Sequence, residues 1–291
     1  MQTLRKIIKI SKGISAVDGA GVKLVRVIGF NDTKDYDPFL MLDAFDSVNA
    51  EDYTKGFPWH PHRGIETITY LINGNIEHGD SLGNSGSILD GDCQWMTAGS
   101  GIIHQEMPKA SNRMLGAQLW LNLPAKDKMV QPSYNDIKSE NVPIVDENGA
   151  KVHIIAGEYL GQKGAFGGKY INATYLDVEL SANQEWSFIN DSENTLFIYI
   201  FVGKAIFDPQ QNTDNSADLI DEKQAVLFGQ GEKFWIKAAH KDMRFILLSA
   251  KPIKESIAWG GPIVMNTKEE LDLAFLELEN KTFIKHGIDN R

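Results

Sequence analysis

The sequence predicts an all-β protein made of two antiparallel sandwich or barrel units, with one well-marked helix near the C-terminus. Three observations predict it. Short runs alternate apolar and polar residues along most of the chain, among them GVKLVRVIG, ETITYLING, ATYLDVELS, TLFIYIFVG and MRFILLSAK. Glycine and asparagine turns such as NG, GN and DG separate them, with no regular strand–helix alternation. The two halves also echo one another: TYLINGNIEH then SILDGDCQWMTAG in the first, FIYIFVGKAIF then AVLFGQGEKFWIKA in the second.

Taken in order, the chain opens on MQTLRKIIKISKG. Ile7, Ile8 and Ile10 are broken by Lys6 and Lys9, which reads as a first strand and not as a signal peptide. The stretch GFPWHPHRGIETITYLINGNIEHGD follows. Pro61 lacks a backbone donor, so the strand that carries it sits at a sheet edge or start. A polar, proline-bearing region after Pro124 marks a boundary near Asp136, giving an N-terminal unit over 1–135 and a C-terminal unit over 136–291. A short helix is expected near Asn135 to Glu140. In NTKEELDLAFLELEN, Thr267 and Glu270 form a capping-box pattern, and Leu271, Ala274, Phe275 and Leu278 fall on one helical face.

The bulk properties exclude several functions. The 291 residues carry a net charge of −10, and phosphate backbones and anionic membranes repel such a surface. Direct nucleic-acid binding is therefore not expected, and no segment is long and apolar enough to span a membrane. The single cysteine, Cys93, cannot form an internal disulfide, which suits a reducing, cytoplasmic setting. Cys93 itself reads as a small core residue.

Residues i and i+2 of a strand share a face, so His60 and His62 project together. His104 and Glu106, in GSGIIHQEMP, repeat the spacing. Two such pairs closing on one point offer three imidazoles and a carboxylate. That set suits Fe(II), Mn, Cu, Ni, Co or Zn and leaves positions open for water or substrate. Glu66 is a further candidate, as ligand or as a partner that orients an imidazole. His78 and Asp80 read as polar turn residues before a glycine-rich loop. Asp191 with Glu193, and His240 with Asp242, show the same spacing in turn-like contexts, where a second metal is not expected. The glycine run GQKGAFGGK lacks the strand and helix that a phosphate loop needs.

Gly56, His60, His62, Glu66 and Gly74 match the first cupin motif, and Gly91 with His104 matches the core of the second. More narrowly, FPWHPHRGIETITYL, DGDCQWMTAGSGIIHQEMP and ESIAWGGPIVMNTKEE together resemble the pirin family over nearly the whole chain. The resemblance implies a bicupin: two facing antiparallel β-sandwich or jelly-roll barrels, with metal in the N-terminal one alone. It implies His60, His62, His104 and Glu106 as ligands, most often of Fe(II), and moves Glu66 to a supporting place behind them. It implies a quercetin 2,3-dioxygenase activity on a planar flavonol and dioxygen, with Glu106 as catalytic base and carbon monoxide released. Phe57, Trp59, Trp95 and Met96 would wall the pocket, with a place in the core an equal reading for Trp95 and Met96, and the indole of Trp59, where relatives often carry a smaller or polar residue, would narrow its mouth. The other role that the resemblance implies is an iron-based redox sensor that docks to a regulatory protein partner such as a transcription coregulator. The resemblance also implies a monomer.

Overall fold

A computed structural model of the protein describes residues 2–287. In chain order its strands begin with β1 (Ile7–Ser11), β2 (Ile14–Asp18), β3 (Val22–Ile28), β4 (Phe39–Ser47), β5 (Phe57–His62) and β6 (Ile65–Asn73). β7 (Ile76–Asp80), β8 (Ser85–Ile88), β9 (Cys93–Thr97), β10 (Ile102–Pro108), β11 (Met114–Asn122) and β12 (Ser133–Ile137) complete the first half. The second half has β13 (Ile144–Glu147), β14 (Ala150–Ala156), β15 (Glu158–Tyr159), β16 (Gln162–Lys163), β17 (Thr174–Leu180), β18 (Glu185–Ile189) and β19 (Thr195–Val202). Then come β20 (Ala205–Ile206), β21 (Ala225–Phe228), β22 (Lys233–Ala238), β23 (Met243–Ala250), β24 (Ala258–Gly260), β25 (Ile263–Met265) and helix α1 (Lys268–Glu279).

Two compact units result, and each repeats one plan. The first has a seven-stranded sheet, β12-β9-β6-β11-β4-β3-β2, and a four-stranded sheet, β5-β10-β7-β8. The second has β1-β21-β19-β23-β17-β14-β13 and a smaller sheet, β18-β22-β20. The two large sheets therefore run through their chain segments in matching order, as two copies of a cupin barrel do. The echo read from the sequence is right for β6–β7 against β19–β20. It slips by one strand afterwards: the counterpart of the β9 strand CQWMT is β21, and KFWIKA of β22 takes the place of the HxE strand β10.

Neither unit is contiguous. One is Ile14–Ser139 together with the stretch from Ile253 onward; the other is Glu140–Pro252 together with the stretch up to Gly13. The division expected at 135/136 thus falls close to the central crossing, but both ends of the chain belong to the opposite half. The reason for the first exchange is pairing. β21 needs a partner on its free edge, and β1 supplies it, with Ile10 opposite Val226 and Ser11 opposite Ala225. Arg5, 1% exposed, anchors that strand by donating to the carbonyl oxygens of Asn194, Gly229 and Asp191. The expected short helix over Asn135–Glu140 is instead the end of β12 followed by a single 3₁₀ turn, Ser139–Asn141. Pairing of Tyr134 to Ile137 along β9 holds that segment extended.

The C-terminal exchange brings β24, β25 and α1 to the first barrel. Thr267 and Glu270 close a reciprocal capping box at the head of α1. Leu271, Ala274 and Leu278 pack with Ile263, Met265 and Phe283. Phe275 remains 37% exposed and lies against Gly260. Arg63 fastens this strap: it donates to Ser100 O and Phe283 O, pairs with Glu277 at 2.7 Å, and lies over the Phe283 ring. Gly64 lets the strap approach. Its φ of +78° suits glycine, and a Cβ there would collide with the Val264 carbonyl oxygen. Buried Lys128 completes the fastening by donating to Gly64 O, Asn122 Oδ1 and Val264 O at 2.7–2.9 Å.

Lys128→Met keeps the volume, takes the Lys128 donor from Asn122 Oδ1 and Val264 O, and leaves Gly64 O with only the longer bond from Leu123 N at 3.3 Å. It should lower unfolding stability by about 3 kcal/mol, since unsatisfied buried groups cost roughly 1–3 kcal/mol each. Denaturant unfolding of wild type and variant checks this.

Candidate metal centre

The inward-facing residues of the first barrel differ from those of the second in kind. β5 is an edge strand of the four-stranded sheet, as Pro61 requires, and His60 lies opposite His104 of β10. The ring nitrogens of His60, His62 and His104 can all be brought within 4.8 Å of one another. His62 and His104 are buried; His60 is half-buried.

Two carbonyl groups set the tautomers. His60 Nδ1 lies 2.8 Å from Pro58 O, and His62 Nδ1 lies 3.0 Å from Pro262 O. A carbonyl only accepts, so both Nδ1 atoms carry the proton and donate. Both Nε2 atoms are then acceptors, yet they face each other at 3.1 Å. Burial holds the His62 imidazole neutral, with its pKa pushed down to about 3. Burial, and then the neighbouring imidazoles, lowers His104 well below its usual range. Neither His104 nitrogen has a hydrogen-bond partner. Converging nitrogen lone pairs with no donor to satisfy them fit a borderline transition metal, so the residues suit the centre that the spacing predicts.

Glu106 is buried beside this cluster but outside the three-imidazole group. Its carboxylate accepts from Gln118 Nε2 on both oxygens, at 2.9 and 2.8 Å, and from Thr69 Oγ1 at 3.0 Å. Thr69 and Gln118 stand opposite each other on β6 and β11 of the large sheet. The two residues escaped sequence reading because polar side chains in an alternating strand read as the solvent face. Here that face is the barrel interior.

His78 and Asp80 differ most from their sequence reading. They are not turn residues: both are buried on β7, where His78 pairs with Glu106 and Asp80 with His104. The His78 ring lies 5.5 Å from that of His104 and stacks on Tyr134 at 4.6 Å. Gln94 and Asp80 bond its two nitrogens, and Asp80 is itself held by Leu82 and Asn84. The HxD spacing was the available signal; the glycines after it concealed the strand.

Strand alternation places the remaining candidates. Thr69, Gln94, Met96 and Gln118 face inward, so Glu66 and Trp95 face outward. Glu66 accepts from Thr97 Oγ1 at 2.7 Å and touches none of the three imidazoles through that bond. It does not support the ligands as expected. Trp95 is buried on the same outward face, whereas Met96 packs with Trp120, Ile102 and Val264 beside the histidines. Trp59 does not narrow the mouth. It is 55% exposed and lies near the outward side of Gly79, beside Gln105. Phe57 packs with Leu71, Ile76 and Met114, and its ring lies 6.4 Å from that of His60, beside the cluster as expected. The rest of the aromatic wall is Trp120, edge-on to His62 at 5.0 Å, followed by Trp259 at 5.7 Å and Phe30 at a further 5.7 Å.

In the second barrel the counterparts of the HxH and HxE strands are EWSFI of β18 and KFWIKA of β22. Trp186, Phe188, Phe234 and Phe245 pack together there. Among the described residues of that unit, His153 of β14 pairs with Glu179 of the neighbouring β17, and His240 pairs with Asp214 at the surface. Asp191 turns back on Glu193 N, and Asp242 accepts from Ala182 N. Cys93 is buried, and desolvation raises its thiol far above the usual range, as a core residue requires.

Comparison with known proteins agrees with this geometry. Residues 21–121 match the Pirin family and residues 175–284 match the Pirin C-terminal cupin domain. A pirin-like protein of Caulobacter vibrioides is 39% identical over 283 residues, covering 96% of this chain and 99% of that protein. Human pirin is 37% identical over 270 residues, covering 90% and 88%. A crystal structure of a quercetin 2,3-dioxygenase from Acinetobacter baumannii superposes with a TM-score of 0.84 at 29% identity, covering 96% of this chain and 98% of that one. Among the described residues no helix is long and apolar enough to cross a membrane.

Two outcomes follow from the site. His104→Ala should abolish stoichiometric transition-metal binding, read by elemental analysis after metal loading. Burial pushes the Glu66 carboxyl from its ordinary value of 4.5 up to about 7. The unfolded chain ionises first, so the fold loses stability as pH rises from about 4.5 to 7 and no further above that. Glu66→Gln removes this loss. It should stabilise the protein at pH 8 by a few kcal/mol, at about 1.4 kcal/mol per pKa unit, relative to its effect at pH 4.5. Melting curves at the two pH values check it.

Proposed function

The chain belongs to the pirin family of bicupins, and from that premise we propose that it is a metal-dependent dioxygenase acting on a planar flavonol of the quercetin type. The observation that carries the reading is the facing pair of Nε2 lone pairs on His60 and His62, with His104 beside them. A divalent transition metal, Fe(II) first among the candidates, would be held by these three imidazoles with Glu106 at hand. When bound, it supplies Lewis acidity toward a hydroxyl group and access to dioxygen chemistry.

The chain's own residues do the rest. Thr69 and Gln118 both bond Glu106 Oε1, whereas Oε2 receives Gln118 alone. Oε2 therefore keeps more acceptor capacity, and it takes the proton of the substrate hydroxyl. Trp120, Trp259 and Met96 line one side with apolar surface, which excludes water and suits a flat aromatic ring. Pro262 O keeps the His62 lone pair aimed inward throughout.

The test is anaerobic Fe(II) loading followed by oxygen uptake with quercetin, with carbon monoxide measured in the head space. One flavonol should consume one dioxygen. His60→Ala should lose uptake and bound metal together. Glu106→Gln should keep the fold and lower turnover by roughly 10²–10⁴-fold, the usual range for a general base. Metal-loaded protein with no uptake would sink the dioxygenase reading and favour a metal-sensing role.

A further inference from the structure

The carboxylate of Glu106 does not stand alone in the barrel. β10, which carries it, belongs to the four-stranded sheet, while Thr69 and Gln118 belong to the seven-stranded sheet. Their bonds therefore cross the barrel interior and tie its two sheets at the level of the histidines. The three groups form a closed ring. Gln118 Nε2 donates to Thr69 Oγ1 at 3.0 Å as well as to both Glu106 oxygens, and the Thr69 hydroxyl donates in turn to Glu106 Oε1. All three are buried, so no water competes for these bonds.

An amide in this place has a specific consequence. It is neutral, so it leaves the charge of the carboxylate uncompensated and available to a cation. It spans both oxygens, so it fixes rotation about the last carboxylate torsion, which is otherwise broad. A lysine would neutralise the group, and a second carboxylate would repel it. A leucine would leave it free to turn.

Resting on the reading of the three imidazoles as a metal centre, we infer that Gln118, with Thr69, is the positioning residue of Glu106: it sets how the one carboxylate of the site is presented to a metal held by the histidines, and through it the affinity and coordination geometry of that metal.

Cobalt(II) serves as the probe, because its visible absorption reports coordination number and ligand type without any need for turnover. Wild type, Gln118→Leu, Glu106→Ala and the double variant are titrated with Co(II), and their spectra and melting temperatures are recorded. Gln118→Leu should bind cobalt about 10–100-fold more weakly, the usual cost of losing a residue that orients a metal ligand, with an altered visible spectrum. In the Glu106→Ala background the same substitution should change neither affinity nor spectrum, because the group through which it acts is gone. Thr69→Val, which removes one donor at nearly constant shape, should shift affinity and spectrum in the same direction but less. It also serves as the test if Gln118→Leu fails to fold.

Equal cobalt affinity and identical spectra for Gln118→Leu and wild type would overturn the inference. So would an equal loss in both backgrounds, which is the mark of a merely structural role. Wild type that binds no cobalt would overturn the metal-centre reading and the inference with it, a result distinct from either of these.

Discussion

Everything at the candidate centre depends on two backbone carbonyls. Pro58 O and Pro262 O accept hydrogen bonds from the Nδ1–H groups of His60 and His62, and so decide which nitrogen of each ring is left with a lone pair. Neither carbonyl is remarkable in itself. What matters is that each is fixed by structure built for other reasons. Pro58 is two residues before its imidazole on the same strand. Pro262 arrives through the strap that Arg63, Gly64 and Lys128 hold against the barrel. Burial then keeps the His62 ring neutral, and two acceptors are left facing each other with nothing between them to donate.

The two barrels show how little of this is a property of the fold. They share strand order, and strand for strand the same positions look inward. In one barrel those positions hold His60, His62, His104, Glu106, Thr69 and Gln118. In the other they hold Trp186, Phe188, Phe234 and Phe245. The aromatic set fills space and asks for nothing. The polar set must satisfy itself by hydrogen bonds or by a ligand, because a buried unpaired polar group is costly. A single scaffold thus carries a hydrophobic plug in one copy and a cluster of three imidazoles and a carboxylate in the other.

Much of this was legible in the sequence. Alternation and glycine turns gave away the strands, the capping box located α1, and the HxH and HxE pairs marked the three imidazoles that meet. Less legible was anything that depends on which face of a strand is inside. Thr69, Gln94 and Gln118 look like solvent-facing residues until the barrel closes around them. His78 and Asp80 look like turn residues because the chain bends just after them. Trp59 and Trp95 were assigned to the pocket by nearness in sequence, and alternation sends both the other way. The exchange of chain ends between the units was invisible for a different reason. It is a matter of which distant edge a strand pairs with, and local pattern carries no record of that.

The close approach of Val264 to Gly64 has a consequence for the order of events during synthesis. A ribosome releases the HxH and HxE strands long before residue 262, so the nascent first barrel has its three imidazoles but lacks the carbonyl that fixes the His62 tautomer. In that interval either nitrogen of the ring can carry the proton, and cations meet a pocket still open on the side the strap later covers. The tautomer of His62 is therefore settled by a segment two hundred residues further along the chain, and not by the strands that bear the imidazoles.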